Sequence, residues 1–281
     1  MRQFLFLILL TSHLFAIANS PLTTTITSIE DEEHISIKTP EQAQIGMYGV
    51  IVHWFDAQHS VALSWVEVKS IQGEKCTLVT IPIRALEQSA LPNGTWKPKV
   101  GDEVILGYNY QRALLIAPNP SVYKKVTTYH PERTWVHPDI FTAVISTHGH
   151  PTPLMEDFTY ACRANNIGLV AFAFDKSIIT VDCQSFKILE NKSTTIKNDE
   201  IQLPFYSRIP HIEANWFGDG SDELKEYAPY YVKLLAEHNP ENQWIQNYKQ
   251  AQENTREESS WFGLWSVGAD ENKDASITTE E

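Results

Sequence analysis

The chain has 281 residues, of which 22 are Lys or Arg and 35 are Asp or Glu, so its formal net charge at pH 7 is −13. This charge excludes nucleic acid as a partner, because no stretch is basic enough to follow a phosphate backbone. The hydrophobic share of 42% is enough for a folded core, and the length fits one large domain or two small ones.

The first twenty residues, MRQFLFLILLTSHLFAIANS, predict a secretory signal peptide over residues 1–18. A basic residue, an apolar stretch and small residues in A-x-A spacing follow one another in the order that such signals require. The apolar stretch is too short for a membrane span and no later segment qualifies, so we expect no transmembrane segment in the mature chain. We expect an exported protein of the periplasm, the outer-membrane surface or the cell surface.

The chain after the signal divides by composition into polar ends and two folded parts. Residues 19–44 are polar and acidic and predict a flexible segment. Five apolar or alternating runs follow and predict a small β-barrel over residues 45–119. These runs are MYGVIVHWF, SVALSWVEVKS, KCTLVTIPI, GDEVILGY and RALLIAP.

The pattern changes after residue 119 and predicts a small α/β domain over residues 120–215. Its predicted elements are a strand at DIFTAVIST, a helix from Thr152 to Asn165 and strands at GLVAFAF and SIITVDC. A helical segment over residues 216–253 should begin at a cap formed by Asp219 or Ser221 and end at Asn239-Pro240. An acidic disordered tail over residues 254–281 completes an α+β fold.

The three cysteines allow one disulfide and one free thiol in an oxidising compartment. Cys162 lies on the apolar face of the predicted helix, and Cys183 ends the strand SIITVDC, so the two side chains can meet in one core. Cys76 lies in a strand of the other half. We predict a bridge between Cys162 and Cys183, with two buried thiols as the alternative, and a buried free thiol at Cys76.

The stretch VISTHGHPTP places His148 and His150 one residue apart and raises the question of a metal site. His130, His137 and Asp157 are the nearest further ligands in the sequence. The Asp-His pair that follows H-x-H in metallohydrolases is missing, and His150 precedes a proline, which favours a solvated extended loop. The solvated loop is therefore the preferred interpretation, with a metal site as the alternative.

Other catalytic signatures are missing from the sequence: it contains no G-x-S-x-G, no phosphate-binding loop and no dinucleotide fingerprint. The tail contains a cluster of large apolar residues, three of them aromatic, between acidic flanks. The cluster consists of Trp261, Phe262, Leu264 and Trp265. These side chains either fold back onto the domain or contact a partner, and the acidic flanks favour a protein over a lipid surface.

Four segments in order, RALLIAPNPSVY, YACRANNIGLVAFAF, ITVDCQSFKILE and LPFYSRI, resemble the N-terminal domain of bacterial plasminogen-binding proteins. The resemblance runs from about Ile45 to about Tyr231. It implies a surface-associated, exported protein that binds a protein ligand, with plasminogen as the implied partner, and it supplies no catalytic residue and no cofactor.

The resemblance also implies how such a ligand is recognised, since the kringle pockets of plasminogen bind a lysine ammonium beside a carboxylate. The sequence ends ASITTEE, with acids where the pocket needs a lysine, so we expect weak or absent plasminogen binding unless an internal lysine such as Lys225 or Lys233 supplies the ammonium.

Together, the residues and the resemblance predict a non-enzymatic envelope protein that binds another protein through lysine or aromatic contacts. A metal-dependent hydrolase that uses His148 and His150 and a structural envelope component are the alternatives.

Overall fold

The computed structural model describes residues 17, 20–83, 96–196 and 200–254. Within this part, the strands are β1 (Leu22–Ile29), β2 (His34–Lys38), β3 (Tyr48–Trp54), β4 (Ser60–Gln72), β5 (Lys75–Pro82), β6 (Glu103–Leu106), β7 (Arg112–Ile116), β8 (Thr134–Val136), β9 (Leu169–Phe174), β10 (Ser177–Asp182) and β11 (Ile188–Ser193). The helices are α1 (Pro120–Tyr129), α2 (Pro138–His148), α3 (Met155–Asn165) and α4 (Tyr227–His238). Residues 243–254 are also helical.

The chain divides into two compact units, residues 1–231 and residues 232–281, and α4 crosses the boundary. All strands and the first three helices belong to the first unit. No helix in the described ranges is long and apolar enough to cross a membrane.

The first six strands form a closed barrel in the order β1-β2-β5-β4-β3-β6, and β1 pairs with β6 to close it. Alternate residues point inward, as Val66 and Val68 of β4 show by their complete burial. Closure hides every strand edge, which a sheet of short strands otherwise exposes. Cys76 is buried in the barrel core as a free thiol, as predicted, and burial raises its pKa to about 11.

The second sheet has the order β11-β10-β9-β7-β8 and is parallel where β7 pairs with β8 and β9. Its central strand β9 is buried on both faces, which explains its continuous apolar run. Ala171 and Ala173 share a core cluster with Val122 and Val126 of α1. The alternate residue Phe172 packs against Phe158 of α3, at a ring-centroid distance of 5.8 Å.

A buried carboxylate, Asp182, joins the barrel to the second sheet. It accepts hydrogen bonds from the Tyr48 N–H at 3.0 Å and the Tyr110 hydroxyl at 2.7 Å. The backbone N–H groups of Gln184 and Ser185 also donate to it, at 2.8 Å and 2.9 Å, and the Ser185 hydroxyl lies at 3.4 Å. Burial is the largest influence on Asp182 and raises its pKa despite these donors. The junction is therefore held by three backbone N–H groups and the hydroxyl of Tyr110.

The α+β class and the N-terminal barrel agree with the prediction, while the segment boundaries need correction. Residues 19–44 are not a flexible segment, because β1 and β2 lie there and complete the barrel. The barrel ends at Leu106 rather than at residue 119, since β7 belongs to the second sheet. Strand β1, LTTTITSI, resembles a polar linker in composition, although threonine favours strands.

Two elements differ from the predicted α/β part. The run DIFTAVIST lies in helix α2 rather than in a strand. Helix α4 begins at Tyr227 rather than at a cap near Asp219 or Ser221, and it ends before Asn239-Pro240 as predicted. Most of the predicted signal peptide and the predicted acidic tail after residue 254 lie outside the described residues.

Candidate functional site

The candidate site lies at the corner between α2 and α3. Helix α2 begins with Pro138 after the N-cap His137, whose ring nitrogen accepts the Asp139 N–H. It ends at His148, and Gly149 then adopts the left-handed conformation with φ of 71°. The His150 N–H turns back to the Ile145 carbonyl at 2.9 Å. This helix end reverses the chain between the two histidines.

The opposite wall of the corner is the first turn of α3. Asp157 lies in that turn, and its Oδ2 accepts the Leu154 N–H at 2.7 Å. A carboxylate in this position satisfies a free N–H and interacts favourably with the positive end of the helix dipole. Phe158 packs on Phe141 of α2 with a ring-centroid distance of 4.5 Å, which holds the two helices together. The local sequence thus places Asp157 opposite the end of α2.

The histidines converge on this carboxylate. His148 Nδ1 lies 2.6 Å from Asp157 Oδ1, and His150 Nδ1 lies 3.0 Å from each Asp157 oxygen. The Asp157 side chain is 0% exposed, compared with 29% for His148 and 13% for His150. The predicted solvated loop is therefore wrong: the motif forms the C-terminal end of α2, and both imidazoles lie against a buried carboxylate.

The charge balance at Asp157 is unusual. Among the described residues, its ion-pair partners are only His148 and His150, which carry a positive charge only when protonated. No Lys or Arg of the described ranges pairs with it. Burying a carboxylate is costly unless it is paired and hydrogen-bonded. The only ion-pair partners that the described residues offer to the Asp157 carboxylate are therefore two imidazoles.

A cleft of about 810 Å³ lies beside this corner. His150, Tyr160, Arg163, Asn215 and Phe217 are among its lining residues. The Asn215 side-chain amide donates to the His148 carbonyl at 2.6 Å, which fixes the following loop to the end of α2. His150 thus lines the cleft, while the Asp157 carboxylate is buried.

The other predicted ligands lie elsewhere. His130 pairs with Glu132 at 2.9 Å, and the His137 ring serves as the cap of α2. Of the sequence-predicted candidates in the described ranges, only His148, His150 and Asp157 come together, with one ligand atom of each within 4.8 Å of the others. The predicted disulfide between Cys162 and Cys183 is present.

The predicted aromatic contact, Trp261 to Trp265, lies outside the described residues. A second aromatic pair next to the site was missed: Trp216 is 97% exposed and Phe217 is 82% exposed. The tripeptide Trp-Phe-Gly at 216–218 recurs at 261–263, and this repeat was the available sequence signal. Large exposed aromatic side chains indicate an interaction surface more strongly than scattered apolar residues do.

Comparison with known families matches residues 21–235 to the N-terminal region of plasminogen-binding protein pgbA. The chain belongs to this family. The matched region contains the barrel, the second sheet and the α2–α3 corner, as well as most of α4. The family domain therefore extends further toward the N-terminus than the resemblance from Ile45 predicts, because β1 and β2 are part of the barrel.

Two curated relatives carry the name plasminogen-binding protein PgbA, from Helicobacter pylori strains J99 and 26695. Each is 22% identical to this chain over 218 residues, which is 76% of this chain and 48% or 47% of the relative. The chain thus spans about half the length of the curated relatives it matches. These names describe the two relatives as plasminogen-binding proteins.

Proposed function

We propose that this chain is an exported, non-catalytic protein of the cell envelope or surface that binds plasminogen. The family match over residues 21–235 is the observation that carries the proposal. The names of the two relatives support plasminogen as the partner, and the signal-like N-terminus supports export. The alternatives of a hydrolase and of a purely structural component have no comparable support.

We further propose that an internal lysine supplies the contact. A pocket that reads an ammonium group beside a carboxylate needs both groups on one exposed surface. Helix α4 offers Lys233 and, one turn later, Glu237, and both are exposed. Residues i and i+4 lie on the same face of a helix, so this pair presents the two charges together. Lys225, exposed between Glu223 and Glu226, offers a second pair outside the helix.

Lys124 provides a matched control. It is an exposed lysine of α1, a helix whose sequence PSVYKKVTTY contains no acid. An ammonium without a neighbouring carboxylate lacks half of what the pocket reads. Its substitution changes the net charge by the same amount as substitution of Lys233, which separates local recognition from general electrostatics.

The test measures binding of the full chain to immobilised plasminogen, with and without a soluble lysine analogue. We expect competition by the analogue and a loss of affinity of about tenfold or more for Lys233→Ala, since a central interface contact contributes about 1.4 kcal/mol or more. Lys124→Ala should bind as the unmodified chain does. If both lysines contact plasminogen, the double variant Lys225→Ala with Lys233→Ala should lose more affinity than Lys233→Ala alone. If only Lys233 does, the two variants should bind equally.

The aromatic tail is the competing contact. If Trp261 and Trp265 anchor the partner, the analogue will leave binding unchanged, and Trp261→Ala with Trp265→Ala will abolish it. That result would replace the lysine contact while keeping a protein-binding function. No measurable binding of plasminogen by the unmodified chain would refute the proposed partner itself.

A further inference from the structure

We infer that His148, His150 and Asp157 form a binding site for one divalent transition-metal ion, with Zn²⁺ as the best match. The inference is independent of plasminogen binding. One nitrogen of each imidazole and one oxygen of the carboxylate lie within 4.8 Å of one another. Three ligating groups within this distance can contact one ion after small side-chain movements, because Zn–N and Zn–O bonds measure about 2.0 to 2.2 Å.

The charge at the corner favours such an ion. Asp157 is completely buried, and within the described ranges no Lys or Arg pairs with it. The first turn of α3 compensates part of its charge through the Leu154 N–H. A dication bound between the carboxylate and the histidines would supply the remaining positive charge. A carboxylate in water needs no such cation, because water solvates its charge. Burial is therefore the reason that Asp157 attracts a cation.

The ligand types select the metal. Two imidazoles with one carboxylate suit Zn²⁺ and other late first-row ions, whereas Mg²⁺ and Ca²⁺ prefer oxygen ligands alone. Three protein ligands leave at least one coordination position of a tetrahedral ion for water or a further ligand. The cleft beside His150 provides space for such a group.

The protons on the histidines must move when the ion binds. The Nδ1 atoms of His148 and His150 lie within hydrogen-bond distance of Asp157. A nitrogen that binds a metal needs a free electron pair, so a proton on either Nδ1 must shift to Nε2 or leave to solvent when the ion binds. Hydrogen bonds therefore keep the corner assembled without metal, and the ion replaces them. The protein should fold in either state, with the metal adding stability rather than creating the fold.

A second histidine and aspartate pair serves as the internal control. His53 Nδ1 lies 2.6 Å from Asp102, a carboxylate that is also nearly buried, at 7% exposure. That site has one imidazole instead of two. It reproduces the hydrogen bond and the burial of the candidate site without its third ligand.

The experiment uses the full chain purified without a histidine tag. Chelator-treated protein is titrated with Zn²⁺ by calorimetry, and the zinc content after dialysis is measured by elemental analysis. We expect about one zinc per chain. His148→Ala and His150→Ala should each weaken binding at least about 100-fold, because loss of even an outer-shell partner costs 10- to 100-fold. His53→Ala should bind zinc as the unmodified chain does.

Two further measurements exclude indirect effects. His150→Gln keeps a hydrogen-bond donor for Asp157 but removes the imidazole, so it should fold normally by circular dichroism and still lose zinc. Co²⁺ in place of Zn²⁺ should give visible absorption bands that disappear in the same variant. Zinc uptake that is unchanged in the His148→Ala, His150→Ala double variant would overturn the site, as would the absence of uptake by the unmodified chain.

Discussion

Asp182 and Asp157 are both completely buried, and the groups that compensate the loss of water differ between the two carboxylates. Asp182 is surrounded by three backbone N–H groups and the Tyr110 hydroxyl. Asp157 is held by the Leu154 N–H and two imidazoles. A backbone N–H is a permanent donor, whereas an imidazole nitrogen can donate, accept or bind a metal. The donors around Asp182 are thus mostly permanent, while both imidazoles beside Asp157 can change from donor to acceptor or metal ligand.

The disulfide connects these two regions directly. Cys162 lies five residues after Asp157 in α3, and Cys183 follows Asp182 at the end of β10. The bridge therefore ties the helix that presents one carboxylate to the turn that presents the other. Separate substitutions in the bridge, at Asp182 and in the α2–α3 corner measure how much each of these features contributes to the free energy of unfolding.

The largest expected effect comes from removing the bridge. Cys162→Ala with Cys183→Ala should lower the free energy of unfolding by about 3 kcal/mol, as chain-entropy estimates give for a separation of 21 residues. Urea denaturation of the oxidised protein and of the double variant measures the difference. Reductant should destabilise the unmodified chain similarly and leave the variant unchanged. Peptide mapping that finds Cys76 in a bridge would contradict this assignment.

Asp182→Asn comes next, with an expected loss of about 2 to 3 kcal/mol. An amide NH₂ in place of Oδ2 would face the Tyr48 N–H, and a buried donor without an acceptor costs about 1 to 3 kcal/mol. Asp157→Asn should cost less, because His148 and His150 can change tautomer and accept from the new NH₂ group. Equal losses in the two variants, measured by urea denaturation, would show that the histidines do not adapt.

The pH dependence of stability tests the Asp182 environment separately. Burial raises its pKa above the ordinary value of 3.8, so the folded chain keeps this proton at pH values where the unfolded chain has lost it. The resulting stabilisation is fully present below the unfolded pKa and is lost as pH rises through the folded pKa. The stability advantage of the unmodified chain over Asp182→Asn should therefore shrink as pH rises through this window. An advantage that grows with pH would contradict the direction of the shift.

The two folded parts differ in how much of their structure the sequence reveals. Alternating runs predict the barrel because each strand buries one face, as β4 does with Val66 and Val68. Strand β1 escapes prediction because Ile26 is its only buried residue and one of its two partners, β6, is distant in the chain. Strand β2 is only five residues long and lies in the same polar segment. Closure of a barrel is a tertiary event that local composition does not encode.

Helix α2 shows a different limit. Its β-branched run favours a strand, yet Phe141, Thr142 and Ile145 are buried at helical spacing. The proline after His137 and the glycine after His148 mark the two ends of a helix, and these signals could have decided the assignment. At the site, the sequence identifies His148, His150 and Asp157 as candidates. Their convergence depends on the reversal at Gly149, which a strand assignment cannot supply.

The smallest expected effect tests that reversal. Gly149→Ala should cost about 1 to 2 kcal/mol, because alanine is strained at a φ of 71° and its Cβ would lie 2.4 Å from the Asn215 side chain and 2.8 Å from its backbone nitrogen. Gly73→Ala is the matched control, since Gly73 has a φ of 59° and nothing lies within 4 Å of an added Cβ. The control should show only the conformational cost of about 1 kcal/mol. The excess in Gly149→Ala, measured by urea denaturation, reports the contact between the end of α2 and the Asn215 loop. If the two variants lose the same stability, Asn215 moves aside freely, and the corner around Asp157 is not held by that loop.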